Sequence, residues 1–344
     1  MAYPIKNKRF FLTSPFRKVY SSKNEWEKVG VNGLGDEDKA LDQVHIPVLV
    51  NEILFWLACR PGGRYVDCTI GQGGLASRIL EASGPDGIVI GIDRDEAAIE
   101  AARAKLTRYG DRVRFIQGNF RELKQHLASV GVSEVDGVVF DLGVSSAQLD
   151  RPERGFSFLA DGPLDMRMDR SGGLTAADLV NRLAEPELAD LIYRYGEERY
   201  ARRIARAIVR ARETHPLRTT FDLVAVIRAA VPPPYRHGRL HCATRTFQAL
   251  RIAVNHELDG LEESLRDAAE VLAPGGRLCV ISFHSLEDRI AKQTLRALSQ
   301  GPDRCLVTLT KRPQTPTDEE CRDNPRARSA KLRVAERYSM RGPS

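Results

Sequence analysis

Tyr65-Val66-Asp67-Cys68-Thr69-Ile70-Gly71-Gln72-Gly73-Gly74-Leu75-Ala76, with Gly91-Ile92-Asp93-Arg94-Asp95 close behind, is the stretch on which the fold of this chain turns. Tyr65 to Cys68 suits a buried strand. Gly71, Gly73 and Gly74 permit positive φ and leave bare backbone for a ligand to approach. Leu75 to Leu80 opens a helix. Ile88 to Ile92 is a short apolar run that reads as the next parallel strand, and Asp93 at its carboxyl end can accept hydrogen bonds from a ribose diol. A strand, a glycine turn, a helix and a second strand ending in an acid form a unit that binds a nucleoside cofactor. Which cofactor stays open at this point, because Gly71-x-Gly73-x-x-Ala76 also satisfies the looser dinucleotide pattern.

The alternation continues outward. Ile46 to Leu57 carries apolar residues at helical spacing, stopped by Pro61-Gly62-Gly63. Ala97 to Leu106 reads as a helix, Val113 to Gln117 as a strand, and Phe120 to Leu127 as a further helix. Val135-Asp136-Gly137-Val138-Val139-Phe140-Asp141 is a fourth strand, whose terminal Asp141 falls at the same sheet edge as Asp67 and Asp93. From Asp150 to about Cys242 the chain is rich in arginine, helical in pattern and without a convincing buried strand, which marks an insertion. Sheet features resume with a helix over Phe247 to Leu265, a turn at Pro274-Gly275-Gly276, and a strand from Arg277 to Ser282. Cys305 to Leu309 and Lys331 to Ala335 read as a last pair of strands.

At 344 residues the chain can hold a large α/β domain and a smaller one. Its six cysteines are scattered with no C-x-x-C pair, so neither a zinc site nor a disulfide framework is indicated, and a reducing, cytoplasmic setting fits. The net charge of +6 favours a polyanionic partner. No apolar run approaches the roughly 20 residues of a membrane helix, so no membrane partner is expected. Residues 1–43 read as a poorly ordered extension. Its first part holds Lys6, Lys8, Arg9, Arg17, Lys18 and Lys23 with no acid before Glu25, a bias also found in transit peptides, which keeps a mitochondrial location open.

Several blocks now carry a resemblance: His45-Ile46-Pro47-Val48-Leu49, Asp67 to Gly74, Asp141-Leu142-Gly143-Val144-Ser145-Ser146-Ala147-Gln148, Pro152-Glu153-Arg154-Gly155-Phe156-Ser157-Phe158, Asp161-Gly162-Pro163-Leu164-Asp165-Met166-Arg167-Met168-Asp169, Ala243 to Ile252, and Ser282-Phe283-His284-Ser285-Leu286-Glu287-Asp288. Together they closely resemble the small-subunit ribosomal RNA cytosine-N4 methyltransferases, the family known in bacteria as RsmH or MraW, over residues 45 to about 338. The resemblance implies an α/β fold, a class I (Rossmann-like) methyltransferase wound sheet with an inserted helical subdomain. The methyltransferase domain would occupy residues 44–149 and 243–340, and the helical subdomain, facing RNA, residues 150–242. It also implies S-adenosylmethionine as methyl donor, small-subunit ribosomal RNA or the assembled small subunit as partner, and transfer to N4 of a cytidine in the decoding region. The oligomeric state is left open.

By the same resemblance the cofactor positions fall on Gly73, Gly74 and Leu75 in the turn, Asp93 at the ribose, Phe120 beside the adenine, and Asp141 and Gln148 near the methionyl end. The position of Leu75 is often histidine in that family, so only a backbone contact there would survive. Cytosine's exocyclic amine is a poor nucleophile because its lone pair is delocalised into the ring. An acceptor for its hydrogens is therefore needed, and Asp141 is the candidate catalytic residue. The sequence after it is Leu-Gly-Val rather than the Pro-Pro-aromatic run usual in amino-methyltransferases, so Asp141 can serve the amine, the cofactor's ammonium group or both.

His284 and His45 are further candidates for the cleft. Ser145 and Ser146 lack triad partners, and Asp161, Asp165 and Asp169, interleaved with Met166 and Arg167, read as ion-pair partners rather than as a metal site. No metal is expected. RNA contacts are expected from Arg199, Arg203 and Arg206 in the insertion, and next from Arg154, Arg167 and Arg245. The competing reading of the first three is a solvated helix face paired with Glu197 and Glu198. A DNA cytosine-N4 methyltransferase, a nicotinamide-dependent oxidoreductase and a non-catalytic RNA binder are the rival functions.

Overall fold

The computed structural model describes residues 47–338. The basic extension over residues 1–43 and His45 lie outside the described residues.

Seven strands form one sheet: β1 (Arg64–Asp67), β2 (Ile88–Asp93), β3 (Val113–Gln117), β4 (Val135–Asp141), β5 (Leu272–Ser282), β6 (Leu306–Thr308) and β7 (Lys331–Arg337), in the order β3-β2-β1-β4-β5-β7-β6. The first five are parallel, and β7 runs antiparallel to both β5 and β6. The chain steps outward from β1 to β3 and then returns to the other side of β1 for β4. A crevice therefore opens at the carboxyl ends of these two strands, where open α/β sheets take their ligands.

Strand periodicity sets the two cores. Tyr65, Val89, Val139, Cys279 and Ile281 pack on one face, and Val66, Ile90, Val138, Phe140, Leu278 and Val280 on the other, so each strand alternates between the two. The first face is covered by α1 (Val50–Leu57), α2 (Gly74–Ala82) and α3 (Glu96–Leu106). The second is covered by α4 (Leu123–Ser129) and by two later helices. Burial on both faces is why these strands read as continuous apolar runs.

After β4 come the short α5 (Ser146–Asp150), α6 (Ala176–Arg182), α7 (Glu185–Gly196), α8 (Ala201–Thr214), α9 (Thr220–Ala230), α10 (Pro233–Arg236) and α11 (Thr244–Asn255). Between β4 and α11 no strand joins the sheet. A third apolar cluster gathers Met166, Leu188, Ile204, Leu223, Phe247 and Leu250 from these helices and loops. On α8 the inward residues are Ala201, Ile204, Ala205 and Ile208, at helical spacing, which leaves Arg202, Arg203, Arg206 and Arg210 exposed. The remaining helices are α12 (Leu261–Val271), α13 (Ser285–Leu298) and α14 (Asp318–Asp323), of which α12 and α13 cover the second sheet face.

Three elements differ from the sequence expectation. The helix expected over Phe247 to Leu265 is two, because His256 takes a left-handed φ of 51° and turns the chain between α11 and α12. That turn brings Glu257 back against Arg251, whose Nε and Nη2 donate to its two carboxylate oxygens at 2.9 and 2.8 Å. The turn expected at Pro274-Gly275-Gly276 lies inside β5, where the register against β4 shifts between Val135 and Gly137, so it is a bulge within a strand. Finally, Phe120–Glu122 is a 3-10 turn preceding α4, started by the Asn119 side chain accepting from Arg121 N–H at 3.1 Å.

Candidate active site

A cleft of about 550 Å³ opens over the carboxyl ends of β1, β2 and β4. The turn after β1 forms one wall. Gly71 has φ 52°, and a Cβ built there would meet nothing closer than Thr69 O at 3.9 Å, so its backbone faces open space. Gly73, with φ 78°, differs: its Cβ would fall 2.8 Å from Leu106 Cδ1, so glycine there lets α2 pack on α3. Gly74 and Leu75 line the cleft and Gly73 does not. Glycine at 73 thus serves the packing of α2 on α3.

Asp93 ends β2 half-buried. Its Oδ2 accepts Gly71 N–H at 2.9 Å and its Oδ1 accepts Asp95 N–H at 3.0 Å, which fixes the carboxylate while each oxygen retains further acceptor capacity. Burial raises its pKa against the pull of those two bonds. Phe120 stands at the next wall, edge-on to Phe140 at 5.5 Å.

Two more acids lie at the floor. Asp67 is 1% exposed, and its Oδ1 accepts Thr69 N–H at 3.2 Å. Burial pushes its pKa up to about 7. Thr69 Oγ1 in turn accepts Asp141 N–H at 2.8 Å, tying the ends of β1 and β4 together. Asp141 Oδ1 is buried and has no hydrogen-bond partner. Burial, then the neighbouring Asp67 and Glu287 carboxylates, push Asp141 up to about 8. A buried, unsatisfied acceptor facing a cleft is the expected mark of a group that waits for a ligand.

His284 also lines the cleft. It caps α13, with Nδ1 accepting Glu287 N–H at 3.4 Å and Nε2 lying 3.1 Å from Glu287 Oε1. Burial opposes ionisation of Glu287, but His284, Arg251 and the Phe283 N–H together hold its carboxyl below the ordinary range. Glu257, His284 and Glu287 have donor atoms close enough to share a cation. Glu257, however, is already clamped by the Arg251 guanidinium, a poor neighbour for a metal ion.

Gln148 reaches the cleft with its amide committed: Oε1 accepts Ser145 N–H at 3.1 Å and Nε2 donates to Asp95 Oδ2 at 2.8 Å. That same Asp95 oxygen takes Arg154 Nη2 at 2.9 Å. Arg154 Nη2 also donates to the carbonyls of Arg167 and Met168, each at 3.0 Å, and the residue is 5% exposed. Arg154, expected at the RNA, is thus buried, with its Nη2 held by a carboxylate and two carbonyls. Arg167 is similarly engaged, gripping Asp165 through two nitrogens at 2.8 and 3.0 Å.

The other expected RNA contacts lie on the helical block. Arg199 is exposed, its guanidinium 4.8 Å from the ring centres of both Tyr200 and Tyr235. Arg203 is exposed and 5.9 Å from Tyr200, and Arg206 pairs with Glu185 at 3.2 Å. Arg245 donates to the Glu197 carbonyl at 2.5 Å. The acids named in the rival reading are occupied elsewhere: Glu197 binds Arg289 and Ser285, and the buried Glu198 accepts from Tyr235 Oη at 2.6 Å.

Sequence reasoning noted Asp67 at the sheet edge but assigned it no role, and it overlooked Thr69, whose side chain joins two strand ends. A threonine two residues past the first strand gives no local sign of a partner on the fourth.

A sheet ordered 3-2-1-4-5-7-6 with one antiparallel strand let in beside β5, carrying acids at the ends of β1, β2 and β4, defines a class I methyltransferase. The chain belongs to the MraW methylase family, which it matches over residues 42–338. It is an S-adenosylmethionine-dependent methyltransferase. It is 54% identical over 306 residues to the ribosomal RNA small subunit methyltransferase H of Geobacter sp. (strain M21), covering 85% of this chain and 98% of that relative. The protein of the same name from Sorangium cellulosum (strain So ce56) is 56% identical over 293 residues, 85% of this chain and 90% of the relative. Among the described residues, no helix is long and apolar enough to cross a membrane.

Proposed function

We propose that this protein transfers a methyl group from S-adenosylmethionine to the exocyclic N4 of a cytidine in the decoding region of small-subunit ribosomal RNA. The observation that carries the amine as target is the buried, unpartnered Oδ1 of Asp141 on the cleft floor, in a chain whose relatives bear the name of small-subunit ribosomal RNA methyltransferases. The test is mass spectrometry of ribosomal RNA nucleosides from cells with and without the protein: loss of one N4-methylated cytidine supports it, and an unchanged nucleoside profile refutes it.

The residues present fit the cofactor. Asp93 would accept the ribose hydroxyls with its remaining lone pairs, Phe120 would flank the adenine, the open backbone at Gly71 with Gly74 and Leu75 would admit the nucleoside, and the Asp67 and Asp141 carboxylates would complement its cationic end. Bound there, S-adenosylmethionine supplies an electrophilic methyl on a positively charged sulfur. Asp141 Oδ1 accepts an N–H of the cytosine amine, which holds the nitrogen in line and favours its pyramidal form. Gln148 and Arg154 act on Asp95 and thus hold the end of β2 in place. No strong base is needed, because the methylated ammonium is acidic enough to lose its proton to water.

Asp93→Ala is expected to weaken cofactor binding by about 1 to 3 kcal/mol, since a charge-assisted hydrogen bond to the ribose and the anchor for Gly71 N–H both disappear. Isothermal titration with S-adenosylhomocysteine measures this, and an unchanged affinity would remove Asp93 from the site.

The helical block over residues 150–242 is proposed as the RNA-facing subdomain, within a methyltransferase domain of residues 44–149 and 243–340. Its exposed guanidiniums at Arg199 and Arg203 are spread on tyrosine rings, a presentation that suits phosphate or base contact. Replacing Arg199, Arg203 and Arg206 together by alanine should weaken RNA binding and flatten its salt dependence by roughly one phosphate-equivalent per true contact, with cofactor affinity unchanged. Parental affinity and parental slope would send the search for the RNA surface to Arg245 and its surroundings. In the cell, this reading places the protein where small subunits are assembled, in the cytoplasm of a bacterium.

A further inference from the structure

Leu159 is 87% exposed, more than any other large apolar side chain among the described residues, yet it lines the same cleft as Asp141. A single exposed leucine is ordinary on a protein surface. This one sits on a loop that is held rigidly from both sides.

At the base of the loop, a Cβ on Gly162 would fall 2.0 Å from Pro152 O, so the two ends of the segment touch. Thr220 N–H donates to Gly162 O at 2.9 Å, Thr220 Oγ1 to Ala160 O at 3.2 Å, and Phe221 N–H to Asp161 Oδ1 at 3.1 Å, which anchors the far side to the start of α9. On the near side, Leu159 N–H donates to Ser157 Oγ at 3.2 Å. Phe158 is stacked on His241 at 4.8 Å and edge-on to Phe247 at 4.9 Å. The residues flanking Leu159 are thus fixed, and its apolar side chain projects into solvent at the cleft rim.

Asp141 Oδ1 is buried at the floor of that cleft, so a cytosine amine reaches it only when the whole base has left its stack. Turning a base out leaves a gap between its neighbours, and apolar side chains such as Leu, Met, Ile or Phe are what proteins insert into opened base steps. We infer that Leu159 is a wedge that enters the base stack of folded RNA beside the target cytidine and fills the place of the base turned into the cleft. This rests on the reading of the cleft as a cytidine-N4 site.

The test uses the full chain, small subunits from cells lacking the modification, and radiolabelled S-adenosylmethionine. Leu159→Ala should lower kcat/KM about tenfold while cofactor affinity and thermal midpoint stay parental, and Leu159→Met, still long and apolar, should restore most of the loss. In a protein-free RNA hairpin carrying 2-aminopurine beside the target cytidine, fluorescence should rise on binding the parental protein and rise much less with Leu159→Ala. Parental kcat/KM in Leu159→Ala overturns the inference, as does a loss accompanied by weaker cofactor binding. So does a loss on subunits with the same fluorescence response for both proteins, which would make Leu159 a contact to a ribosomal protein. If the parental protein methylates no small subunits at all, it is the proposed function that fails, and this appears before any variant is made.

Discussion

Asp141→Ala should lower methyl transfer at saturating cofactor by about a thousandfold or more, with the fold intact, because Asp141 Oδ1 is the unpartnered acceptor on the cleft floor, whereas Oδ1 of the neighbouring Asp67 already accepts Thr69 N–H. Asp141→Asn retains an acceptor oxygen without the charge, so partial activity in that variant would mean that geometry outweighs charge. Near-parental turnover in either variant would remove Asp141 from the reaction. Stability should move the opposite way. In the folded chain without cofactor, Asp141 holds its proton up to about pH 8, whereas its ordinary value is 3.8. Between these values the folded state binds more protons than the unfolded state, so unfolding free energy falls as pH rises, and the cost of the buried charge is fully present above pH 8. Asp141→Asn lacks that cost. Its thermal midpoint should exceed the parental one at pH 8 to 9, with the gap closing towards pH 4. Asp67, raised to about 7, follows the same sign. Binding of a cationic cofactor favours both carboxylates ionised, so affinity for S-adenosylmethionine should tighten from pH 6 to pH 9, and more steeply than affinity for S-adenosylhomocysteine, whose sulfur is neutral. A midpoint gap that does not change with pH would contradict the burial of this charge.

The largest loss of stability is expected from Arg154→Ala, about 3 to 5 kcal/mol, because it strands Asp95 in a buried site where its oxygen has only Gln148 Nε2 left as a side-chain partner. Denaturant melts measure it. Arg154→Lys should recover only part, since one ammonium cannot span the carboxylate and the carbonyls of Arg167 and Met168 with the same planar fork. The double variant Asp95→Ala with Arg154→Ala should be less destabilised than the sum of the singles, which is the signature of a direct pair. A loss below 1 kcal/mol for Arg154→Ala would mean that the pair is far more hydrated than its 6% and 7% side-chain exposure implies.

What could be read ahead of the structure followed from burial on two faces. Val135 to Phe140 and Ile88 to Ile92 declare themselves because both sides of the sheet are covered, and the acids that end them fall at one edge by topology alone. The glycine turn was equally plain, but the separate duties of Gly71 and Gly73 were not, since one faces open space and the other faces Leu106. The burial of Arg154 is not legible in the sequence because its partner Asp95 is 59 residues away, and nothing local marks an arginine as buried. The break between α11 and α12 was hidden for a related reason: the apolar period runs on through it, and what breaks it is His256 going left-handed so that Glu257 can meet Arg251. Leu159 was passed over because in sequence it is one apolar residue following Phe156 and Phe158, and only the pinned loop sets it apart.

The position of β7 bears on how the polypeptide acquires this form during synthesis. Lys331–Arg337 is translated after every other described strand, yet it lies inside the sheet, between β5 and β6. Until it emerges, β5 presents a bare edge along Arg277 to Ser282, and β6 has no neighbour at all. Such an edge invites pairing with another nascent chain. Closure of the sheet therefore has to wait until residue 337 has cleared the exit tunnel, and a stalled or prematurely released chain lacking that strand would be a candidate for chaperone capture rather than a slightly shortened enzyme.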